Sequence, residues 1–299
     1  MENAPFRSGF VTIIGAPNVG KSTLLNALVG TKLAIVSSKP QTTRHRILGI
    51  KNLPQAQLVF LDTPGIHVPR TRLQRYMMQA VSEALDSPEV ILYMTDVSAA
   101  PYPDLAFLRR QLAGRRLPVF WLLNKVDLMS PQELLPLIAR YAETAFFAQV
   151  FPLSARRGDN IPELLASLQQ TLPEGPRYFS EDMPTDRDER FFIAELIREQ
   201  ILHLTHAEVP YAVAVEVEQM YERGDGSVEI DANICVDKAS QKGILVGHQG
   251  RMIKTIGTRA RQAIGRMLRT PVHLRLRVRV NTRWQERDAA LRALGFGSC

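Results

Sequence analysis

Cysteine is scarce in this chain, and long apolar runs are missing. Its 299 residues include two cysteines, Cys235 inside an alternating strand-like pattern and Cys299 at the end, so neither a disulfide framework nor a cysteine-based zinc site is expected. No apolar stretch approaches the roughly 20 residues of a membrane-spanning helix, and no amino-terminal signal peptide is visible. A soluble, cytoplasmic protein is therefore expected. Acidic residues are nearly absent from one region: Lys238 to Cys299 holds fourteen Lys and Arg against Glu286 and Asp288, a net +12, whereas Glu181 to Asp237 holds four basic and fifteen acidic residues, a net −11. The overall charge of +7 leans weakly towards a polyanionic partner, and the local asymmetry can place a basic surface opposite an acidic one. With 45% apolar residues the chain is long enough for two domains, each with its own core.

Against these absences stand four short motifs in one order. Gly15-Ala16-Pro17-Asn18-Val19-Gly20-Lys21-Ser22 fits the phosphate-loop pattern and lies between an apolar run, Phe10 to Ile14, and a helical stretch, Thr23 to Val29. In that setting backbone N–H groups up to Thr23 point at phosphate oxygens, Lys21 reaches the β and γ phosphates, and Ser22 ligates Mg²⁺. Leu58 to Leu61 ends on Asp62 of Asp62-Thr63-Pro64-Gly65. This places a carboxylate at a strand's carboxyl end, where it serves the metal through a water, while Gly65 can offer its N–H to the γ-phosphate. Val119 to Leu123 delivers Asn124-Lys125-Val126-Asp127. The Asp127 carboxylate can accept both the N1–H and the exocyclic amine of guanine, whereas adenine presents an acceptor at N1 and would leave it unpaired. Val150 to Leu153 then delivers Ser154-Ala155, whose N–H groups can approach guanine O6. Alone the last two motifs are weak signals; after strands and in this order they specify GTP or GDP with Mg²⁺.

With these motifs the chain resembles the Era family of GTPases over nearly its full length. Pro40-Gln41-Thr42-Thr43-Arg44-His45-Arg46 is similar to the family's switch I. By that resemblance Thr43 closes over Mg²⁺ and the γ-phosphate, with Thr42 as the alternative that the sequence leaves open. The implied architecture is an α/β P-loop GTPase domain, three-layered with a mostly parallel sheet, over residues 1–175. A linker at 176–185 and an α+β type II KH domain with a tail helix over 186–299 follow.

The second half carries its own signals. After the linker beginning Pro173-Glu174-Gly175-Pro176, Thr185 and Asp188 can form a capping box, and Ile193, Ile197, Ile201 and Leu204 mark a helix from about 186 to 206. Tyr211 to Met220 and Val228 to Val236 read as strands joined by a turn at Gly224 to Gly226. A helix at Lys242 to Val246, the loop Gly247-His248-Gln249-Gly250, a basic helix from Arg251 to about Leu268 and a strand at Val272 to Val280 complete the KH order. Glycines at both ends of the loop let backbone approach RNA phosphates, and Arg251 and Lys254 follow on the helix. The family often has a basic residue inside this loop; His248 and Gln249 predict weaker, pH-sensitive phosphate affinity there.

In the last strand Val272, Leu274, Leu276, Val278 and Val280 are expected inward, with His273, Arg275, Arg277 and Arg279 on the opposite face. Those arginines either contact RNA or pair with acids such as Glu216, Glu218 and Glu229, the reading we favour. Trp284 is expected in the core rather than as a stacking platform.

Catalytic roles fall to Lys21, Thr43, Asp62 and Gly65. Ile66 completes the nucleotide-binding turn but stands where Ras-type GTPases carry a water-orienting Gln, so intrinsic turnover is expected to be slow. Relatives with Asn at position 18 use it to help bind K⁺, which makes K⁺ dependence an expectation. The resemblance implies the 3′ end of 16S rRNA and the 30S subunit as partners, peripheral contact with the cytoplasmic side of the membrane, and a monomer. A membrane-attached signalling GTPase using the basic face for anionic lipid is the rival. A tRNA-modifying GTPase shares Asn18 and the Asp62 motif but carries further parts that nothing here resembles.

Overall fold

The computed structural model describes residues 5–98, 102–142 and 146–296, so Cys299 lies outside the described residues. Two compact units divide the chain. The first comprises Met1–Val36, Pro40–Val68 and Met77–Asp186; the second comprises Ser37–Lys39, Pro69–Tyr76 and Arg187–Cys299.

The motif-bearing unit is built from β1 (Arg7–Ile14), α1 (Lys21–Val29), β2 (Ile47–Leu53), β3 (Ala56–Asp62), α2 (Arg72–Glu83) and β4 (Val90–Asp96). It continues with α3 (Asp104–Gln111), β5 (Val119–Asn124), α4 (Pro131–Ala142), β6 (Gln149–Leu153) and α5 (Ile161–Thr171); the first turn of α2 falls in the other unit. The sheet order is β2-β3-β1-β4-β5-β6, with β2 antiparallel to β3 and every other pair parallel. Strands β3, β4 and β5 are buried throughout, as near-continuous apolar runs in a sheet covered on both faces must be. All four motifs therefore sit at the carboxyl ends of parallel strands, where an open α/β sheet gathers its ligand groups.

The stretch expected to be a linker packs on this unit. Ser8 Oγ donates to Pro176 O at 2.6 Å. Gln57 accepts from the Tyr178 and Phe179 amides at 2.7 and 2.9 Å and donates to Phe179 O at 2.7 Å. The Ile50 amide, on the outermost strand, donates to Pro184 O at 2.9 Å, which blunts an otherwise open sheet edge. The buried side chains of Ser8 and Gln57 fix this segment together with the Ile50 amide; nothing in its Pro-rich composition signals that.

The second unit contains α6 (Glu189–Leu204), the short α7 (Val209–Ala212), β7 (Ala214–Glu222), β8 (Val228–Val236), α8 (Ala239–Val246), α9 (Arg251–Leu268), β9 (Val272–Val280) and α10 (Asp288–Ala293). β7 and β8 are antiparallel, β8 and β9 parallel. Ile193, Ile197 and Ile201 of α6, Ile230 and Ile234 of β8, and Ile256, Ala260 and Ile264 of α9 are fully buried in one core. The expected capping box needs correcting: α6 starts later, and Asp188 itself is the N-cap, accepting from the Phe191 amide at 2.9 Å. Tyr211 is also not in the strand; it belongs to α7. Trp284 is fully buried and donates from Nε1 to Ala212 O at 2.9 Å, as its core reading requires.

Candidate functional site

In the P-loop, Lys21 is buried and donates to Gly15 O at 3.1 Å and Ala16 O at 2.9 Å. Burial lowers its pKa to about 8, against the opposing pull of Asp62 and Asp104. Ser22 Oγ donates to Asp62 Oδ2 at 2.8 Å and lies 2.6 Å from Thr43 Oγ1, which is 3.4 Å from the same carboxylate. It is Thr43 whose hydroxyl joins Ser22 and Asp62. Asp62 is fully buried, and burial lifts its carboxyl to about 6 despite Lys21, Ser22, Thr43 and the Thr63 amide. Its Oδ1 has no hydrogen-bond partner among the described residues. Two hydroxyls and a destabilised carboxylate with an unused oxygen are the hard donors Mg²⁺ prefers, so these residues fit that ion.

The loops that carry Asn124, Asp127 and Ser154 are cross-tied. Asn124, 3% exposed, donates to Val19 O at 2.6 Å and accepts from the Ala155 amide at 3.0 Å. It thus joins the P-loop, the end of β5 and the loop after β6. Gly20 makes room for it: φ is +109°, and a Cβ there would stand 2.3 Å from Asn124 Nδ2. Ser154 Oγ donates to Asp127 Oδ1 at 2.7 Å, the leading reason the Asp127 carboxyl lies below its ordinary value.

Ser154 and Ala155 are also tied within the protein. Their amides already have protein partners, Asp159 O and Asn124 Oδ1. In this structure the loop holds the Asn124 and Asp127 side chains.

Asp96, Ser98 and His67 escaped the motifs. Lys125 pairs with Asp96. Burial pushes Asp96 up, but Lys125 and the Ser98 amide and hydroxyl outweigh it and hold its carboxyl below the usual range. The Ile66 amide donates to Gly15 O at 3.1 Å while its side chain packs on the core under β4 and β5. His67 Nδ1 lies 2.7 Å from Gly65 O, and its Nε2 is buried without a partner among the described residues. Asn18 is exposed, with a left-handed φ of 65°.

In the second unit the Gly247–Gly250 loop turns through left-handed backbone at Gly247 (φ 71°), Gln249 (φ 51°) and Gly250 (φ 73°). A Cβ at Gly247 would lie 2.7 Å from Met252 Cβ, so glycine is required there. His248, Gln249, Arg251 and Lys254 are exposed. Beside the loop lies a cleft of about 420 Å³ lined by Ile253, Lys254, Gly257, Thr258 and Arg261 of α9 and by Leu274 and Leu276 of β9. The helical period was the signal available for Gly257, Thr258 and Arg261, which follow Lys254 at three, four and seven residues.

Leu274 and Leu276, expected inward, are only partly buried and floor this cleft, and Val280 is 41% exposed. β9 is an edge strand, and α9 faces Leu276 with the side-chain-free Gly257. The β9 arginines take the pairing role: Arg275 with Glu229 and Asp231, Arg277 with Glu218, and Arg279 with Glu218. Asp231, which the sequence reading did not name, joins Glu218 and Glu229 because it lies opposite Arg275 in the β8–β9 register.

A family described as "50S ribosome-binding GTPase" matches residues 10–125, and one described as "KH domain" matches residues 208–285. The GTPase Era of Lacticaseibacillus paracasei is 49% identical over 97% of both chains, and that of Geobacter sp. strain M21 is 46% identical over 99% of this chain and all of its own. The chain belongs to the Era family of GTPases. A crystal structure of Era in complex with MgGDPNP and nucleotides 1506–1542 of 16S ribosomal RNA superimposes with a TM-score of 0.94, at 38% identity over 98% of this chain and all of its own. A variant of Aquifex aeolicus Era bound to GDP·AlF4⁻ gives the same score, identity and coverage. The P-loop GTPase fold followed by a KH domain is thus shared with the family, and so is GTP hydrolysis.

Proposed function

We propose that this chain is a GTP-controlled RNA-binding protein that takes the single-stranded 3′ end of 16S rRNA into the α9–β9 cleft and acts in assembly of the 30S subunit in the cytoplasm. The observation carrying this is the cleft itself: an apolar floor, a glycine-bounded loop for phosphates and two exposed cations, Lys254 and Arg261, along one wall. The relative's complex with 16S rRNA, at near-complete coverage, supports the identity of the strand.

In the reaction GTP + H₂O → GDP + phosphate, Lys21 leaves its P-loop carbonyls to hold the β and γ phosphates, and Gly65 offers its amide to the γ-phosphate. Ser22, Thr43 and Asp62 would hold Mg²⁺, which when bound would neutralise charge on the phosphates. Asn124 keeps the loops in register while Asp127 reads guanine. The Ile66 side chain gives the attacking water no hydrogen-bond partner, so turnover is slow, and Asn18 would help to hold a K⁺ whose charge would offset part of that deficit.

The test is anisotropy of a labelled 16S 3′-end RNA with GDP and with a non-hydrolysable GTP analogue, for wild type and Lys254→Ala/Arg261→Ala. Tighter binding with the analogue and a salt dependence lowered by about two in log–log slope for the variant are expected. Equal binding by the variant, or sedimentation with anionic vesicles in place of RNA binding, refutes the reading. Initial rates equal in K⁺ and Na⁺ refute the potassium role.

A further inference from the structure

His67 is the second residue past Gly65 and lies outside every nucleotide motif. Its Nδ1 stands 2.7 Å from Gly65 O. A carbonyl oxygen only accepts, so Nδ1 carries the proton and donates it. The N–H of the same Gly65–Ile66 peptide donates to Gly15 O at 3.1 Å. That peptide is therefore held at both ends, its N–H by a P-loop carbonyl and its C=O by the imidazole. Gly65 itself lies tight against the loop: a Cβ there would stand 2.7 Å from Pro17 N and Cα and 2.8 Å from Pro17 Cγ. The Ile66 side chain packs away on the core.

These contacts define what the turn can bring to the chemistry. Ile66 has no polar side-chain atom, so the turn serves the γ-phosphate with backbone, the Gly65 N–H. Such a donor works only when its direction is set in advance, because a displacement of about 1 Å costs up to about a hundredfold in rate. Gly15 and Pro17 constrain the turn from the P-loop. His67 adds a side chain that fixes the Gly65 carbonyl.

We propose that His67 is a positioning residue for GTP hydrolysis: by holding the Gly65 carbonyl it sets the rotation of the Gly65 backbone and so aims the Gly65 N–H at the γ-phosphate. GDP has no γ-phosphate, so loss of the clamp lowers kcat and leaves GDP affinity unchanged. The inference rests on the reading that Gly65 donates to the γ-phosphate, and it stands whether or not the RNA reading does.

Pro64-Gly65 is the only Pro-Gly pair in the sequence. Full-length protein labelled with ¹³C-carbonyl proline and ¹⁵N glycine therefore gives one carbonyl-filtered amide signal in NMR, that of Gly65. In the wild type this signal is expected to shift when GDP is exchanged for a non-hydrolysable GTP analogue, both with Mg²⁺. A signal that stays in place refutes the γ-phosphate contact and the proposal with it. His67→Ala is expected to melt near the wild type, lose the analogue-specific shift, turn over about tenfold more slowly and bind GDP within twofold of wild type. His67→Asn puts an amide nitrogen near the place of Nδ1 and is expected to recover most of the rate and the shift. His67→Gln, whose nitrogen falls nearer Nε2, is not. A wild-type shift that persists in His67→Ala, with kcat within twofold, overturns the clamp and leaves the Gly65 contact standing. Rescue by Gln in place of Asn also overturns it, since Nε2 then carries the effect. If His67→Ala does not fold, a rate in His67→Asn no higher than in His67→Gln overturns it.

Discussion

Replacing Asn124 by Ala separates two roles that this side chain combines. The amide donates to Val19 O at 2.6 Å and accepts from Ala155 N at 3.0 Å, at 3% exposure. Its removal strands a carbonyl and an amide in a buried site. At about 1–3 kcal/mol for each unsatisfied group, Asn124→Ala is expected to cost about 2–6 kcal/mol before any nucleotide is present. For a unit of this size that is a fall of roughly 5–15 °C in Tm. Urea denaturation of nucleotide-free protein measures the stability, and fluorescent GDP binding measures the affinity that the loosened loops lose. Asn124→Asp should do no better, since its carboxylate can still accept from Ala155 but sets an oxygen against Val19 O. If Asn124→Ala loses GDP affinity while costing less than about 1 kcal/mol of nucleotide-free stability, the cross-tie is not what Asn124 is for.

Three further outcomes follow from the geometry. The folded-state pKa of Asp62, near 6 against an ordinary 3.8, means that the folded protein holds its proton more tightly than the unfolded chain. That contribution is fully present below about pH 4 and lost as pH rises through 6. Asp62→Asn should therefore raise the metal-free, nucleotide-free stability at pH 7.5 by up to about 3 kcal/mol, with the gain fading towards pH 4, while abolishing Mg²⁺-dependent stabilisation; a less stable variant at pH 7.5 refutes the assignment. Asp127→Asn exchanges an acceptor for a donor, so competition binding should show GDP weakened at least about a hundredfold and xanthosine diphosphate strengthened. Trp284→Ala should cost about 3–5 kcal/mol in urea denaturation; loss of RNA binding with stability intact would make Trp284 a stacking platform instead.

The nucleotide motifs were legible because each is local. A phosphate loop needs glycines, Lys and Ser at fixed chain spacing, and an apolar run before each motif marks the strand that delivers it. The same holds for the glycine-bounded loop and for α9, whose observed start at Arg251 and end at Leu268 match the expected span. Asp188 against Thr185 as helix cap was harder, because both residues can accept the same kind of amide and only the path of the chain chooses.

Sequence alone thus determined which chemistry to expect of this protein: guanine at Asp127, phosphate at the P-loop, Mg²⁺ at Ser22 and Asp62, and nucleic acid at Gly247–Gly250. Tertiary structure decided what supports that chemistry. Gln57 anchoring the 176–184 segment, Asp96 on Lys125, Tyr93 on Asp104, and Leu274 and Leu276 as the floor of a cleft all depend on residues apart in the chain. No spacing rule encodes such pairs. They meet because burying the sheet's apolar faces fixes which loops become neighbours, and the polar groups caught there must then find partners or stand ready for a ligand.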